Sequence, residues 1–221
     1  MLTIGFAGNL QSWEPDQKRR SALVRTLKEW FWLYQPRNVD FSTRSGYFLF
    51  RGLERFGEKY PELRKSIQVC LWGRIRPLNQ RQVEEFGLSD MVEIEGFLPR
   101  STSFEKLSAC DVLFLPLESP HDGQRPLFIP GKLYEYLKTG KPVLALAGDS
   151  DCVDILLESG LGVVCSPFDS EKIADTLAFL VRNREELPSL YRPNQDVIDR
   201  YSFERIVSDL ARTFDDVLGR S

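Results

Sequence analysis

The 221-residue sequence predicts one α/β domain: a Rossmann-like, doubly wound parallel sheet of about six strands, with helices on both faces and an amphipathic C-terminal helix. Three observations lead there. Apolar runs of strand length recur along the chain, and after each comes a turn and then a segment with helical periodicity. That order, β then α then β, holds almost to the end of the chain. The composition, 42% hydrophobic and 28% charged, is that of a globular protein long enough to bury one good core.

The strands are expected at Leu2 to Ala7, Ile67 to Trp72, Val92 to Glu95, Val112 to Leu117, Val143 to Ala147 and Gly162 to Cys165. Helices are expected near Gln17 to Tyr34, Tyr47 to Lys59, Gln80 to Phe86, Ser103 to Ala109, Lys132 to Lys138, Cys152 to Glu158 and Ser170 to Arg182. The helix before Val143 has a marked stop, because Thr139-Gly140-Lys141-Pro142 places a glycine just past its end and a proline that cannot continue it. After Pro188 the strand signal is lost. From Tyr201 to Leu218, Phe203, Ile206, Val207, Leu210, Phe214 and Val217 recur at helical spacing. The one long irregular stretch is Gln35 to Gly46, and residues 11–46 read as an insertion after the first strand.

Within that insertion a segment runs from Lys18-Arg19-Arg20 to Trp30-Phe31-Trp32, basic at one end and aromatic at the other. It reads either as an interfacial helix that meets a membrane or as a helix whose face of Leu23, Leu27, Trp30, Phe31 and Tyr34 packs on the sheet. The periodicity favours packing.

Charge and cysteine content exclude several classes. A net charge of -3 gives no global basic field for nucleic acid, so any bound anion needs a local site. Cys70, Cys110, Cys152 and Cys165 form no CxxC pair, and the single histidine, His121, leaves no ligand set for zinc. Cys70, Cys110 and Cys165 lie in or beside apolar stretches, the setting of buried free thiols and of a reducing, cytoplasmic compartment. No apolar run approaches the ~20 residues that span a bilayer, and no basic segment with an apolar core opens the chain.

In an open parallel sheet, ligands bind beyond the carboxyl ends of the strands. Gly8-Asn9-Leu10, Gly73-Arg74 and the loop from Glu118 to Gly131 lie there. After the strand ending at Leu117, a polar loop with Asp122, Gly123 and Arg125 leads to Pro130-Gly131, which opens a helix carrying Lys132, Leu133 and Glu135. A helix start offers unpaired N–H groups and a positive dipole end, which suit phosphate. Lys132 adds a point charge, and Glu135 offers a carboxylate to vicinal hydroxyls such as those of a ribose, though it also reads as an exposed helix residue. His121 reads as a solvated loop residue, and Asp149-Ser150-Asp151 as a helix cap rather than a metal-binding DxD.

These residues resemble the donor-binding domain of glycosyltransferase family 4 (group 1) and its GT-B relatives. The resemblance rests first on PGKLYEYLKTGKPVLAL (Pro130 to Leu146). Phe6 to Leu10 is similar to the first Gly loop, Val69 to Gly73 to the second strand, Val92 to Arg100 to the base-contacting segment around Phe97, and Tyr201 to Glu204 to the opening of the last helix. It implies a nucleotide-sugar site in which the helix start holds the diphosphate, Lys132 and Arg125 stabilise the leaving group, and Glu135 holds the ribose. Gly8, Asn9, Arg74, Phe97, Asp122, Gly131 and Leu133 would line that site.

Two departures stand out: Leu127 replaces the family's first glutamate, leaving Asp122 or Glu118 as substitutes, and Asn9 replaces an arginine, leaving Lys18, Arg74, Arg125 and Lys132 to neutralise the diphosphate. The implied reaction is glycosyl transfer with retention, without metal or other cofactor, to a glycan or lipid-linked acceptor of polysaccharide biosynthesis. The implied location is the cytoplasm, with membrane contact through the acceptor at the inner face. The first strand starts at residue 2, so the acceptor-binding N-terminal domain is expected to be absent, and the chain alone to bind donor weakly and transfer nothing. The alternatives are a non-catalytic nucleotide-sugar-binding or scaffold module, and one half of a nucleotide-sugar epimerase.

Overall fold

A computed structural model describes residues 1–15, 41–119, 125–126 and 128–219. Six parallel strands form one sheet in the order β3-β2-β1-β4-β5-β6. They are β1 (Leu2–Leu10), β2 (Ile67–Ile75), β3 (Val92–Glu95), β4 (Val112–Pro116), β5 (Val143–Leu146) and β6 (Gly162–Cys165). The described helices are α1 (Tyr47–Lys59), α2 (Pro77–Glu85), α3 (Arg100–Ala109), α4 (Gly131–Leu137), α5 (Asp151–Glu158), α6 (Ser170–Arg182), α7 (Leu187–Leu190), α8 (Gln195–Arg200) and α9 (Phe203–Val217). Strand order reverses between β1 and β4, so the switch-point crevice lies between those two strands.

Strands β4 and β5 are apolar and buried at every position because both of their faces are covered. On β4, Val112 and Phe114 face one core layer, with Leu49, Leu53 and Phe56 of α1 and Ile173 and Leu177 of α6. Leu113 and Leu115 face the other, with Leu133, Tyr136 and Leu137 of α4 and Leu156 of α5. The alternation is the two-residue period of the pleat. Truncating one of these fully buried leucines to alanine costs about 2–5 kcal/mol. Helices α1 and α6 cross closely enough that a methyl group at Gly52 would overlap Ile173.

Caps mark several helix starts. Asp169 accepts from the Lys172 N–H at 2.8 Å, and Ser150 accepts from Val153 at 3.3 Å, so the Asp149-Ser150-Asp151 triplet does supply a cap.

The structure departs from the sequence reading in several places. Strands β1 and β2 run three residues past Ala7 and Trp72, through both glycine positions taken for loops. Gly8 and Gly73 are register partners, both at positive φ, and a side chain at Gly73 would strike the Gly8 backbone. The ladder therefore continues through a kink that only glycine permits. Within the stretch read as irregular, Phe41–Arg44 forms a 3-10 turn. The short α7 and α8 precede α9, which is the amphipathic helix expected from Tyr201 to Leu218. Cys110, Cys152 and Cys165 are buried, whereas Cys70 is only half-buried, and all four thiols are free. The helix expected at Gln17 to Tyr34 lies outside the described residues.

Candidate functional site

At the carboxyl end of the sheet a cleft of about 1010 Å³ opens, a size suited to a ligand of several rings. Most of the residues expected at the site meet there. Gly8 and Asn9 come from β1, Arg74 from β2, Phe97 from the segment after β3, and Gly131, Lys132 and Glu135 from the start of α4. Phe104, Tyr201, Phe203 and Ile206 complete an apolar wall with Phe97 at its rim, and Arg100 lies on the same cleft. The Gly73 N–H donates to Gly96 O at 3.0 Å, which fixes the Phe97 segment to the end of β2. Phe97 is 81% exposed, an apolar ring with nothing packed over most of it.

Pro130 precedes α4 with an extended backbone and offers no side-chain acceptor, so no side chain caps the first-turn N–H groups. Lys132 projects from this first turn towards Gly8, where any side chain would collide with its ammonium. Gly8 sits at φ +135, a conformation that itself favours glycine. The ammonium lies 5.1 Å from the centroid of the Phe6 ring, and among the described residues no carboxylate pairs with it. Burial pushes its pKa below the ordinary lysine value, Glu135 opposes that shift, and the positive charge of Arg44 adds to it. A half-buried cation with no direct ion pair is the arrangement that an incoming anion relieves.

Arg44 was not singled out from the sequence. It ends the 3-10 turn that spans the β1/β4 crevice. On one side, Gln11 N–H donates to Arg44 O at 3.3 Å. On the other, the Thr43 hydroxyl donates to Leu117 O at 2.8 Å and accepts from Ser119 N–H at 2.9 Å. The Arg44 guanidinium lies 4.9 Å over the Phe128 ring. The signal available in the sequence was a Thr-Arg-Ser run just ahead of a strongly apolar helix, but its return to the switch point is a matter of tertiary path.

Glu135 faces the cleft, with one carboxylate oxygen 2.9 Å from Arg100. The Arg100 side chain is 90% exposed, so this pair bridges α3 and α4 across open solvent.

Three expected residues are not brought together with the rest. Arg125 lies away from the cleft wall, paired with Asp151 at 2.9 Å, with Asp149 at 3.6 Å and with Asp154. Its charge is already matched at the start of α5, which corrects its assignment to the leaving group. The Leu133 side chain is fully buried beneath α4, its N–H donates to Pro130 O at 3.0 Å, and it does not line the cleft. Glu118, one substitute for the missing glutamate, is half-buried after β4 and outside the cleft wall. The other, Asp122, lies outside the described residues together with Lys18, His121 and Leu127.

A family model described as glycosyl transferases group 1 matches residues 44–183, well over half of the chain. No curated protein matches it. Among solved structures, Anabaena HepE in complex with UDP superposes with a TM-score of 0.63 at 15% identity, over 97% of this chain and 49% of that one. A glycosyltransferase from Rickettsia africae gives 0.61 at 12% identity, over 100% and 48%. Sucrose-phosphate synthase from Thermosynechococcus elongatus gives 0.58 at 16%, over 79% and 44%. At such identities the likeness is one of fold, and the chain spans about half the length of these structures.

Proposed function

Since the chain belongs to the glycosyl transferases of group 1, we propose that its cleft binds the nucleoside diphosphate sugar donor of a glycosyl transfer. The observation that carries this reading is the half-buried ammonium of Lys132, set against Gly8 at the crevice where strand order reverses and without an ion-pair partner among the described residues. A diphosphate is the ligand part that such a site favours. Lys132, the N–H groups at the start of α4 and Arg44 would receive it, Glu135 would accept hydrogen bonds from the ribose hydroxyls, and the base would lie along the Phe97 wall.

In the reaction the anomeric C–O bond breaks, leaving its electron pair on the diphosphate while the sugar becomes cation-like. Preorganised donors aimed at the leaving oxygens stabilise that transition state by ~3 kcal/mol for a key donor in a water-poor site. Cationic side chains in place of a divalent metal make the transfer metal-independent, so chelation by EDTA leaves it unchanged. Retention of configuration and a glycan or lipid-linked acceptor at the cytoplasmic membrane face, in polysaccharide biosynthesis, complete the proposal. The acceptor would be held by a second half, as the matched structures are about twice as long. The isolated chain would then bind donor and transfer nothing.

UDP is the first nucleotide to test, because HepE was crystallised with UDP and with UDP-glucose. Calorimetry with UDP, UMP, uridine, GDP and ADP should give binding that depends on the second phosphate. Equal affinity for uridine and UDP, or binding of none of the five, would sink the donor reading and favour a scaffold module.

A further inference from the structure

Arg44 reaches the crevice from the far end of the 11–46 insertion, and the side chain that ties its turn to the sheet is the one before it, Thr43. Thr43 is 1% exposed. Its hydroxyl bridges two backbone groups just past the end of β4, donating to Leu117 O at 2.8 Å and accepting from the Ser119 N–H at 2.9 Å. Leu117 and Ser119 are themselves buried, so loss of the hydroxyl would take a partner from a carbonyl and from an N–H away from water. Serving both requires a group that donates and accepts, which at this size is a hydroxyl.

We propose that Thr43 is a positioning residue: its bridge to the end of β4 holds Arg44 at the crevice beside Lys132, so that a diphosphate meets two cations in a fixed arrangement. This rests on the donor reading of the cleft and adds the device that assembles its anion receptor. The backbone of Arg44 is held on both sides, by Thr43 towards β4 and by the bond from the Gln11 N–H to Arg44 O at the end of β1. The Phe128 ring backs the guanidinium at 4.9 Å.

The arrangement works against itself while the cleft is empty. Burial does most to lower the Lys132 pKa, Glu135 on the same helix opposes the shift, and the charge of Arg44 adds to it. Keeping two like charges close costs free energy, and the buried hydrogen bonds of Thr43 offset that cost. A bound diphosphate reverses the sign, since both cations then face an anion.

Thr43→Val keeps the shape of the side chain and removes the hydroxyl. It should weaken UDP binding about 10-fold, as should Arg44→Gln. The double variant should bind no more weakly than either single one, because both changes remove the same interaction. Thr43→Ser, which restores a donor and acceptor, should stay within about 2-fold of the parent chain. Thr43→Ala deletes the same hydroxyl in a smaller side chain and should repeat the Thr43→Val result. The matched control is Ser159→Ala. Ser159 is fully buried, donates to Leu156 O at 2.7 Å and accepts from the Leu161 N–H at 3.3 Å, outside the cleft wall. That variant should lower Tm and leave UDP affinity unchanged.

A second readout needs no nucleotide. In the empty chain, NMR titration of the Lys132 side chain should give a higher pKa in Thr43→Val than in the parent, and a similar rise in Arg44→Gln, because the repelling charge has moved away or gone. An unchanged Lys132 titration in Thr43→Val would overturn the proposal. So would losses of UDP affinity at Thr43 and Arg44 that add in the double variant, which would leave the bridge a purely structural bond. A parent chain that binds no UDP would instead refute the donor reading, and the Lys132 titration would then decide whether Thr43 places Arg44.

Discussion

Lys132 and Arg125 stand seven positions apart on either side of the start of α4, and both read from the sequence as cations for a diphosphate. The structure separates them. Arg125 is surrounded by Asp149, Asp151 and Asp154 at the edge of α5, and its hydrogen bond to Asp154 does most to raise its pKa. Lys132 is half-buried against Gly8 with no carboxylate partner among the described residues, and burial lowers its pKa. An anion gains little at a cation that three carboxylates already neutralise, and more at one that folding left without a direct ion pair. The counter-charge around a basic residue, more than its presence in the right loop, decides whether it can receive phosphate.

The comparison breaks most directly at Lys132. Lys132→Met should weaken UDP binding roughly 10–100-fold, the scale of a lost charge-assisted hydrogen bond, while raising the Tm of the empty chain, because a buried charge is removed. Calorimetry and thermal melts together test this, and a lower Tm with unchanged affinity would reverse the assignment.

The pH dependence sharpens the same point. The folded chain holds the Lys132 proton less tightly than the unfolded chain, so between the lowered pKa and the ordinary lysine value the unfolded state binds more protons. Over that window the contribution of Lys132 to stability rises with pH. UDP affinity should move the other way, falling as pH rises through the lowered pKa, with proton uptake on binding. Lys132→Met should flatten both profiles.

A smaller effect is expected at Glu135. Glu135→Ala should cost UDP about 5-fold, near 1 kcal/mol for hydrogen bonds to the ribose, and should remove discrimination against 2′-deoxy-UDP. Equal losses for the ribose and deoxyribose forms would mean that Glu135 serves only its ion pair with Arg100. Smallest of all, Arg125→Ala should leave UDP affinity unchanged and lower Tm only slightly, since exposed ion pairs contribute little.

Much of this was readable in one dimension. Strands β4 and β5 were readable because a sheet covered on both faces demands unbroken apolar runs, as in Val112–Pro116 and Val143–Leu146. The start of α4 was readable because Pro130-Gly131 is a local signal. The two glycine loops misled, since a glycine after an apolar run looks the same whether the strand stops or kinks, and only the pairing of Gly8 with Gly73 distinguishes the two.

The sequence by itself determined the α/β alternation, the sheet, and a cleft at its carboxyl end with Lys132 and Glu135 inside. These follow from periodicity and turn chemistry, which act over a few residues. Tertiary structure alone decided that Arg125 is neutralised, that Leu133 is buried and that Arg44 returns to the switch point. Each of these depends on which distant residue arrives as a neighbour, and charge compensation and burial are properties of neighbours in space.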